Sequence, residues 1–353
     1  MDLMKIFATA IHYKASDIHI TPNKPPMMRL KGEMIPIIKD ITLTSEHTKA
    51  IIYSIISDSQ KARFEENLEL DCSFAIKGIG RFRLNVFLTK NGVEAVARII
   101  PSQIPSPQEI GLTKEITDLI DTPKGLILVT GPTGSGKSTT LACLINLINE
   151  KYKSNIITIE DPIEFVYEHK NSLIRQREVG QHTKSFASAL KSALREDPDV
   201  ILVGEMRDLE TIQLTLTAAE TGHLTFATLH TQDAATTVDR IIDVFPPHQQ
   251  EQVRIQLASS LRAVISQILL PKKDGNGLVA AREIMIMTPA ISNLIREGKT
   301  HLIYGAIETG GKFGMISMDK SLAILVKNNL VDMSEALSKA NDKETFKRFL
   351  VGG

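Results

Sequence analysis

The chain has 353 residues, of which 42% are hydrophobic and 23% are charged, and 41 lysines and arginines balance 41 aspartates and glutamates. These proportions are typical of soluble globular proteins and exclude disordered and fibrous classes. The length predicts two domains of roughly 100–200 residues each, and the neutral total disfavours a protein that grips nucleic acid over a large surface.

Neither membrane insertion nor secretion is predicted. No apolar run approaches the ~18 residues that a membrane-spanning helix needs. Met1–Tyr13 has some features of a signal peptide, but Asp2 lies in the region that should be basic and Lys5 interrupts the apolar stretch. Cys72 and Cys143 are too far apart in sequence to form a metal signature or a disulfide framework. We therefore expect a cytoplasmic protein.

Residues 1–100 are predicted to form a small α+β domain. Ser45–Ser57 has apolar side chains at helical spacing, and Gly80–Phe87 alternates as a β-strand does. In that strand the apolar side chains lie on one face, and Arg81 and Arg83 lie on the other. From periodicity alone these arginines could belong to an ordinary solvated face.

Residues 101–110 are predicted to be an interdomain linker. Three prolines fall within seven residues, at positions 101, 105 and 107. Proline lacks an amide hydrogen and fixes φ, so no helix or central strand passes through this segment. The second domain is therefore expected to occupy 111–353.

The second domain alternates short apolar runs with amphipathic stretches, which is typical of βαβ units and a largely parallel sheet. This pattern predicts the α/β class. The predicted strands are Leu126–Thr130, Ile156–Glu160, Val200–Val203 and Leu224–Thr228. Ser185–Glu196 is predicted to be a helix with one apolar face, ended by the sequence Asp-Pro-Asp.

A phosphate-binding loop follows the first of these strands. The sequence GPTGSGKS at 131–138 matches the G-x-x-x-x-G-K-[ST] pattern and precedes the helical run Thr139–Asn149. Its glycines let consecutive backbone N–H groups surround phosphate oxygens, and the helix N-terminus adds a favourable dipole. Lys137 is expected to reach the β- and γ-phosphates, and the Ser138 hydroxyl to bind Mg²⁺. The predicted nucleotide-binding residues are Gly131, Pro132, Thr133, Gly134, Ser135, Gly136, Lys137, Ser138 and Thr139.

Acidic residues end two further predicted strands. Glu160 and Asp161 end one strand, with Glu164 shortly after, and Gly204-Glu205 ends the other. The carboxyl ends of parallel strands open onto the ligand crevice, so these carboxylates are expected to face the phosphates. Alone, an acidic residue at a strand end could simply cap a loop. Two such strands beside a phosphate-binding loop favour a functional role.

Two histidines, His223 and His230, bracket the strand Leu224–Thr228. A lone histidine is usually structural. Two of them are also too few for a zinc site, which needs three or four ligands. The spacing alone leaves their role open.

Four segments in this order resemble the boxes of the secretion ATPase superfamily: GPTGSGKS (131–138), ITIEDPIEF (157–165), ILVGEMRD (201–208) and TGHLTFATLHT (221–231). They correspond to Walker A, Asp box, Walker B and His box. Within the superfamily, ASDIHI (15–20) and AISNLIRE (290–297) are similar to motifs of the type IV pilus retraction ATPases, the PilT-type twitching-motility proteins. The likeness runs from about residue 1 to 330. Ser292 departs from it, because an arginine usually stands there in this retraction-associated motif.

The resemblance implies a PAS-like N-terminal domain, a RecA-like ATPase domain and a homohexameric ring with ATP at subunit or domain interfaces. The catalytic residues that it implies are Glu160, Glu205, His223, His230, Arg81 and Arg83. The Mg²⁺ site that it implies comprises Ser138, Glu205, Asp161 and Glu164. ATP and Mg²⁺ are the expected cofactors. An inner-membrane platform protein of the pilus machine is the expected partner, and it would place the chain peripherally at the inner-membrane base.

The predicted function is that of a hexameric Mg²⁺-dependent ATPase motor that powers type IV pilus retraction. Pilus-assembly and type II secretion ATPases are the nearest alternative. They are usually longer and tend to carry a four-cysteine zinc motif, whereas this chain has two cysteines. A DNA-translocating P-loop motor is disfavoured by the neutral charge. A nucleotide-gated binding module with little turnover is disfavoured by the intact acidic residues.

Overall fold

A computed structural model describes residues 3–30, 32–100 and 103–351. The chain divides into an N-terminal unit, Met1–Gln103 with Pro162–Val166, and a C-terminal unit, Ile104–Asp161 with Tyr167–Gly353. The domain boundaries expected from the sequence stay a prediction, and the first two residues of the expected linker, at 101 and 102, lie outside the described residues. The same holds for residues 1 and 2 of the rejected signal peptide.

The N-terminal unit is built on an antiparallel sheet with strand order β3-β2-β1-β6-β5-β4 in its described part. Its strands are β1 Asp17–Ile20, β2 Met27–Leu30, β3 Glu33–Pro36, β4 Glu69–Ile76, β5 Gly80–Thr89 and β6 Gly92–Ile100. Its helices are α1 Leu3–His12, α2 Ser45–Ile55 and α3 Asp58–Asn67. The predicted helix at 45–57 and strand at 80–87 are therefore confirmed as α2 and β5.

The core of the N-terminal unit lies on one face of this sheet. Phe82 of β5 is fully buried and packs edge-to-face on Phe7 of α1, with ring centroids 4.6 Å apart. Such aromatic pairs favour edge-to-face geometry because the ring edge is positive and the ring face negative. Arg81 and Arg83, the neighbours of Phe82 in sequence, are half-buried on the opposite face of β5, as the alternation predicts.

The C-terminal unit is built on a mixed sheet with strand order β13-β12-β7-β11-β10-β8-β9 in the described residues. Its strands are β7 Gly125–Thr130, β8 Asn155–Glu160, β9 Leu173–Glu178, β10 Val200–Val203, β11 Leu224–Leu229, β12 Leu261–Pro271 and β13 Leu278–Ile286. All neighbours pair in parallel except β12 and β13, which are antiparallel. The four predicted strands are confirmed as β7, β8, β10 and β11, each within one residue at either end.

Helices cover both faces of this sheet. They are α4 Lys114–Thr117, α5 Lys137–Lys151, α6 Phe186–Ala193, α7 Leu209–Glu220, α8 Ala234–Asp243, α9 Pro247–Ser260, α10 Pro289–Arg296, α11 Ile303–Thr309, α12 Met318–Lys327, α13 Met333–Lys339 and α14 Lys343–Val351, with 3-10 turns at Asp118–Asp121, Thr300–Leu302 and Gly311–Phe313. Strand β7 shows the consequence of two covered faces. Leu126 and Leu128 pack into one apolar cluster, and Ile127 and Val129 pack into another on the other side. Continuous apolar runs are expected of parallel strands buried on both faces.

A smaller apolar cluster joins the β12–β13 hairpin to the last helices. Leu270 of β12 and Ala281 of β13 contribute to it, together with Leu322 of α12 and Phe346 of α14. Phe346 is fully buried. In the described part of the chain, no helix combines the length and the apolar character that crossing a bilayer requires.

Candidate nucleotide-binding site

The phosphate-binding loop runs from the end of β7 to the start of α5. Gly131 has φ 139° and Gly136 has φ 84°, values that L side chains rarely adopt. A Cβ added to Gly131 would lie 2.2 Å from the backbone oxygen of Gln267, so the loop passes too close to β12 for any side chain there. Helix α5 begins at Lys137, directly after the loop. The strand, loop and helix N-terminus thus form the arrangement that binds phosphates through backbone N–H groups.

Lys137 is folded across this loop. Its residue is 9% exposed, and its Nζ donates to the carbonyls of Gly131 at 2.8 Å and Pro132 at 3.0 Å. The same nitrogen lies 3.4 Å from Nδ1 of His230. The ammonium group is therefore held at the mouth of the loop, where nucleotide phosphates would bring their negative charge.

His230 links Lys137 to Glu205. It follows β11, the strand next to β7, and its Nε2 lies 3.1 Å from Oε1 of Glu205. An ammonium group only donates hydrogen bonds, so Nδ1 accepts from Lys137 and Nε2 carries the hydrogen that is donated to Glu205. The second carboxylate oxygen of Glu205 lies 2.7 Å from Nη2 of Arg207. A continuous chain of polar contacts therefore runs from the loop to the end of β10.

Glu205 is held in its ionised form by these neighbours. Burial raises its pKa, but the hydrogen bond and charge of Arg207, together with the charges of His230 and Lys137, outweigh burial and leave the pKa below its ordinary value. The pKa of Arg207 is raised in turn, first by its hydrogen bond to Glu205 and also by the charges of Glu205 and Asp161. A carboxylate that stays charged at neutral pH can attract a cation or accept a hydrogen bond from water.

Glu160 ends β8. This strand pairs with β10 on the side away from β7, the strand that leads into the loop. Its Oε1 accepts hydrogen bonds from Thr158 Oγ1 at 2.6 Å and from Gln176 Nε2 at 3.1 Å. Asp161 follows it and is exposed. Strand order therefore brings Glu160 and Asp161 to the same edge of the sheet as Glu205, as predicted from the parallel topology.

The remaining predicted residues are not brought to the loop within the C-terminal unit. His223 precedes β11, whereas His230 follows it, and six strand residues at about 3.3 Å each separate the two ends by roughly 20 Å. Nδ1 of His223 lies 2.9 Å from the Ala218 carbonyl. Glu164 falls in Pro162–Val166 of the N-terminal unit, and Arg81 and Arg83 belong to β5 of that unit. The catalytic roles of these residues stay predictions.

The structure adds three residues that the sequence did not single out. Arg207 was visible in the GEMRD run, two positions after Glu205, and its strand-end position could have revealed it. Gln267 and Arg282 lie on β12 and β13, which were not predicted. Gln267 donates a hydrogen bond to the loop, and Arg282 donates one to Gln267.

The residues at the loop fit a Mg²⁺ ion that is held together with nucleotide phosphates. In the described residues, no cluster of three or more His, Cys, Asp or Glu side chains could hold a metal ion alone. Magnesium at phosphate sites usually takes one or two protein oxygens, substrate phosphates and waters. The start of α5 supplies the Ser138 hydroxyl, and the ionised Glu205 stands beside the loop lysine and histidine. The protein thus offers a hydroxyl and a carboxylate rather than a complete cage.

Comparison with known proteins identifies the family. The model of the family described as "Type II/IV secretion system protein" matches residues 1–306. The chain belongs to the type II/IV secretion system protein family. The type IV pilus retraction ATPase PilT of Pseudomonas aeruginosa is 51% identical over 346 residues, which cover 98% of this chain and 100% of that protein. A twitching motility protein of Neisseria gonorrhoeae is 53% identical over 320 residues, covering 91% of this chain and 85% of that one.

One solved member of this family shares the whole fold. The crystal structure of the pilus retraction motor PilT with bound ADP superposes with a TM-score of 0.93 at 47% identity, and 99% of each chain is covered. The predicted resemblance to retraction ATPases, the α/β fold with a smaller N-terminal unit, and the ATPase class are confirmed. The roles of individual residues stay predictions.

Proposed function

We propose that this chain is a Mg²⁺-dependent ATPase that assembles into a homohexameric ring and powers retraction of a type IV pilus. The observation that carries the proposal is the contact chain from Lys137 through His230 to Glu205, beside a complete P-loop. It occurs in a fold that matches a pilus retraction motor along its whole length. The proposed location is the cytoplasmic face of the inner membrane, at a platform protein of the pilus machine.

The side chains divide the chemical work in the following way. The backbone N–H groups of the loop and the charge of Lys137 hold the β- and γ-phosphates. Magnesium, when bound, neutralises phosphate charge as it builds up in the transition state. Glu205, kept ionised by Arg207 and His230, orients the ion or the attacking water, and Glu160 acts on the same water from the neighbouring strand end. His230 contacts both Lys137 and Glu205, so its hydrogen bonds change when the γ-phosphate binds to Lys137.

The departure at Ser292 bears on retraction. Ser292 is 9% exposed on α10, and its Oγ donates to the Ala258 carbonyl of α9 over 3.1 Å. The serine is thus accommodated by helix packing within the C-terminal unit. We infer that retraction remains the function. The alternative function is that of a pilus-assembly or type II secretion ATPase.

Deletion of the gene tests this function. We expect cells without the protein to carry excess pili and to lose twitching motility, because pili would extend but not retract. Re-expression of the wild-type chain should restore twitching, and re-expression of Lys137→Ala should not. Bald cells would instead indicate a pilus-assembly motor, and unchanged piliation would contradict a role in the pilus machine.

Replacing Glu205 or Glu160 with glutamine should lower kcat by about 10²-fold or more, while ADP binds with nearly unchanged affinity. Groups that orient water or Mg²⁺ act mainly in the transition state, so their loss appears in turnover more than in binding. Steady-state hydrolysis and ADP titration of each purified variant measure the two effects. Glu251→Gln, on the exposed surface of α9, is the matched control. Normal turnover in either variant would leave that glutamate as a loop cap.

A further inference from the structure

Gln267 of β12 forms hydrogen bonds with both the P-loop and α5, the helix that follows the loop. This residue is 1% exposed. Its amide nitrogen donates to the Ser135 carbonyl in the loop at 2.7 Å. Its amide oxygen accepts from Thr140 Oγ1, in the first turn of α5, at 2.9 Å. One buried side chain therefore contacts both parts of the phosphate-binding element.

Arg282 lies directly opposite Gln267 on β13 and extends this network. Its Nε donates to the Gln267 amide oxygen at 3.3 Å, while Nη1 and Nη2 donate to the carbonyls of Gly111 and Ile110 at 2.8 Å each. These acceptors are neutral, and burial lowers the pKa of Arg282 to about 10. The guanidinium therefore stays charged at neutral pH.

The arginine also fixes which way the glutamine amide faces. A guanidinium nitrogen only donates and a backbone carbonyl only accepts, so the amide oxygen must face Arg282 and the amide nitrogen must face Ser135. The Ser135 carbonyl and the Gly136 N–H belong to one planar trans peptide and point in opposite directions. By holding that carbonyl, Gln267 directs the Gly136 N–H to the other side of the peptide. Gln267 also packs closely here, because a Cβ added to Gly136 would lie 3.3 Å from its amide nitrogen.

The geometry points to Gln267 as a positioning residue of the P-loop, and to Arg282 as its link to Ile110, the last residue of the expected linker, and to Gly111, the first residue after it. In this role Gln267 sets the direction of a phosphate-binding N–H group, and Arg282 sets the direction of Gln267. A displacement of residues 110–111 then reaches the loop through two side chains. The inference rests on the proposed ATPase activity and adds residues that touch neither substrate nor metal.

Gln267→Met tests the role in positioning. Methionine keeps the volume but loses all three hydrogen bonds of the side chain. The loss of one buried hydrogen bond of this kind corresponds to about a tenfold change in an equilibrium constant. We expect kcat/KM for ATP to fall about tenfold or more and ADP affinity to weaken in folded hexamers. The control is Asn149→Leu at the far end of α5, where a fully buried amide donates to the Glu168 carbonyl at 2.7 Å. It should lose comparable thermal stability and keep wild-type kinetics. An equal kinetic loss in the control would overturn the inference.

Gln267→Glu separates positioning from stability. A carboxylate can still accept from Thr140 and Arg282, and it gains attraction to the buried guanidinium, but it cannot donate to the Ser135 carbonyl. We expect this variant to melt at a higher temperature than Gln267→Met and yet to retain the kinetic defect. If the kcat/KM of Gln267→Glu returned to the wild-type value as its melting temperature rose, the positioning role would be overturned. This variant also serves as the test if Gln267→Met fails to fold.

Arg282→Lys tests the link to residues 110–111. A point charge can satisfy one of the carbonyls but cannot reproduce the planar fork. We expect a smaller loss of kcat/KM together with faster hydrogen exchange at the amides of Gly111 and Leu112, which donate to the carbonyls of Gln108 and Pro107. Unchanged kinetics and exchange would overturn the link.

A wild-type protein without ATPase activity would contradict the proposed function itself, whereas an active wild type with unaffected Gln267 variants would contradict the inference alone.

Discussion

Lys137→Ala should reduce ATP hydrolysis to background, a loss of at least about 10³-fold, the lower end of what a cation placed on the transferring phosphoryl group contributes. The variant removes a positive charge held 2.8 Å from the Gly131 carbonyl at the mouth of the loop. It also leaves His230 Nδ1 without the ammonium that lies 3.4 Å away. Backbone N–H groups can still contact phosphates, but they carry only partial charges. Nucleotide affinity should therefore fall together with turnover.

Steady-state hydrolysis and ADP titration of the purified variant measure both effects. Lys151→Ala is the matched control, since Lys151 ends the same helix and pairs with Asp121 on the surface. It should hydrolyse ATP at the wild-type rate. A Lys137→Ala protein with undiminished hydrolysis would exclude the P-loop as the nucleotide site.

Arg81→Ala and Arg83→Ala should each lower kcat by about 10³–10⁵-fold if these arginines close over the γ-phosphate, the range known for arginines that stabilise phosphoryl transfer. Both are half-buried on the face of β5 opposite the aromatic core. Nη2 of Arg81 donates to Ser73 Oγ on β4 at 2.6 Å, which holds the guanidinium over the sheet. Lysine should restore activity only in part, because it lacks the planar fork.

The opposing interpretation is an ordinary surface, for which turnover stays unchanged and stability shifts by no more than about 0.5 kcal/mol. ATPase rates of both variants, in samples shown to be folded hexamers, distinguish the two. Arg63→Ala on the exposed side of α3 controls for the loss of a positive charge. Wild-type rates in Arg81→Ala and Arg83→Ala would leave the N-terminal unit without a catalytic part.

Local patterns in the sequence predicted the loop and four strands of the C-terminal sheet, β7, β8, β10 and β11, because both kinds of feature depend on neighbouring residues. Strand β7 is a continuous apolar run, and the glycines and lysine of the loop follow it directly. The separation of His223 and His230 could also have been predicted, since a strand of six residues must hold its two flanking residues far apart. The resemblance placed both histidines in one motif, although only His230 follows the strand and lies beside the loop lysine in the C-terminal unit.

Gln267 and Arg282 could not be found in the same way. They are 15 positions apart and meet only because the β12–β13 hairpin pairs them across strands. Within the run from Leu261 to Pro271, Gln267 reads as an interruption of an apolar strand. Its importance depends on what lies above the sheet, and that is decided by how β12 aligns beside β7.

The last helices bear on how the protein can be shortened for expression. The family match ends at residue 306, inside α11, and a recombinant chain designed on that match would end there. A cut there would remove Leu322 and Phe346 and uncover Leu270 and Ala281 on the β12–β13 hairpin. It would also remove Ser321, whose Oγ accepts a hydrogen bond from the backbone N–H of Arg282 at 3.0 Å. A shortened chain would thus expose apolar surface on the hairpin beneath the nucleotide site, and its poor solubility or low activity would reflect that loss rather than a missing catalytic group.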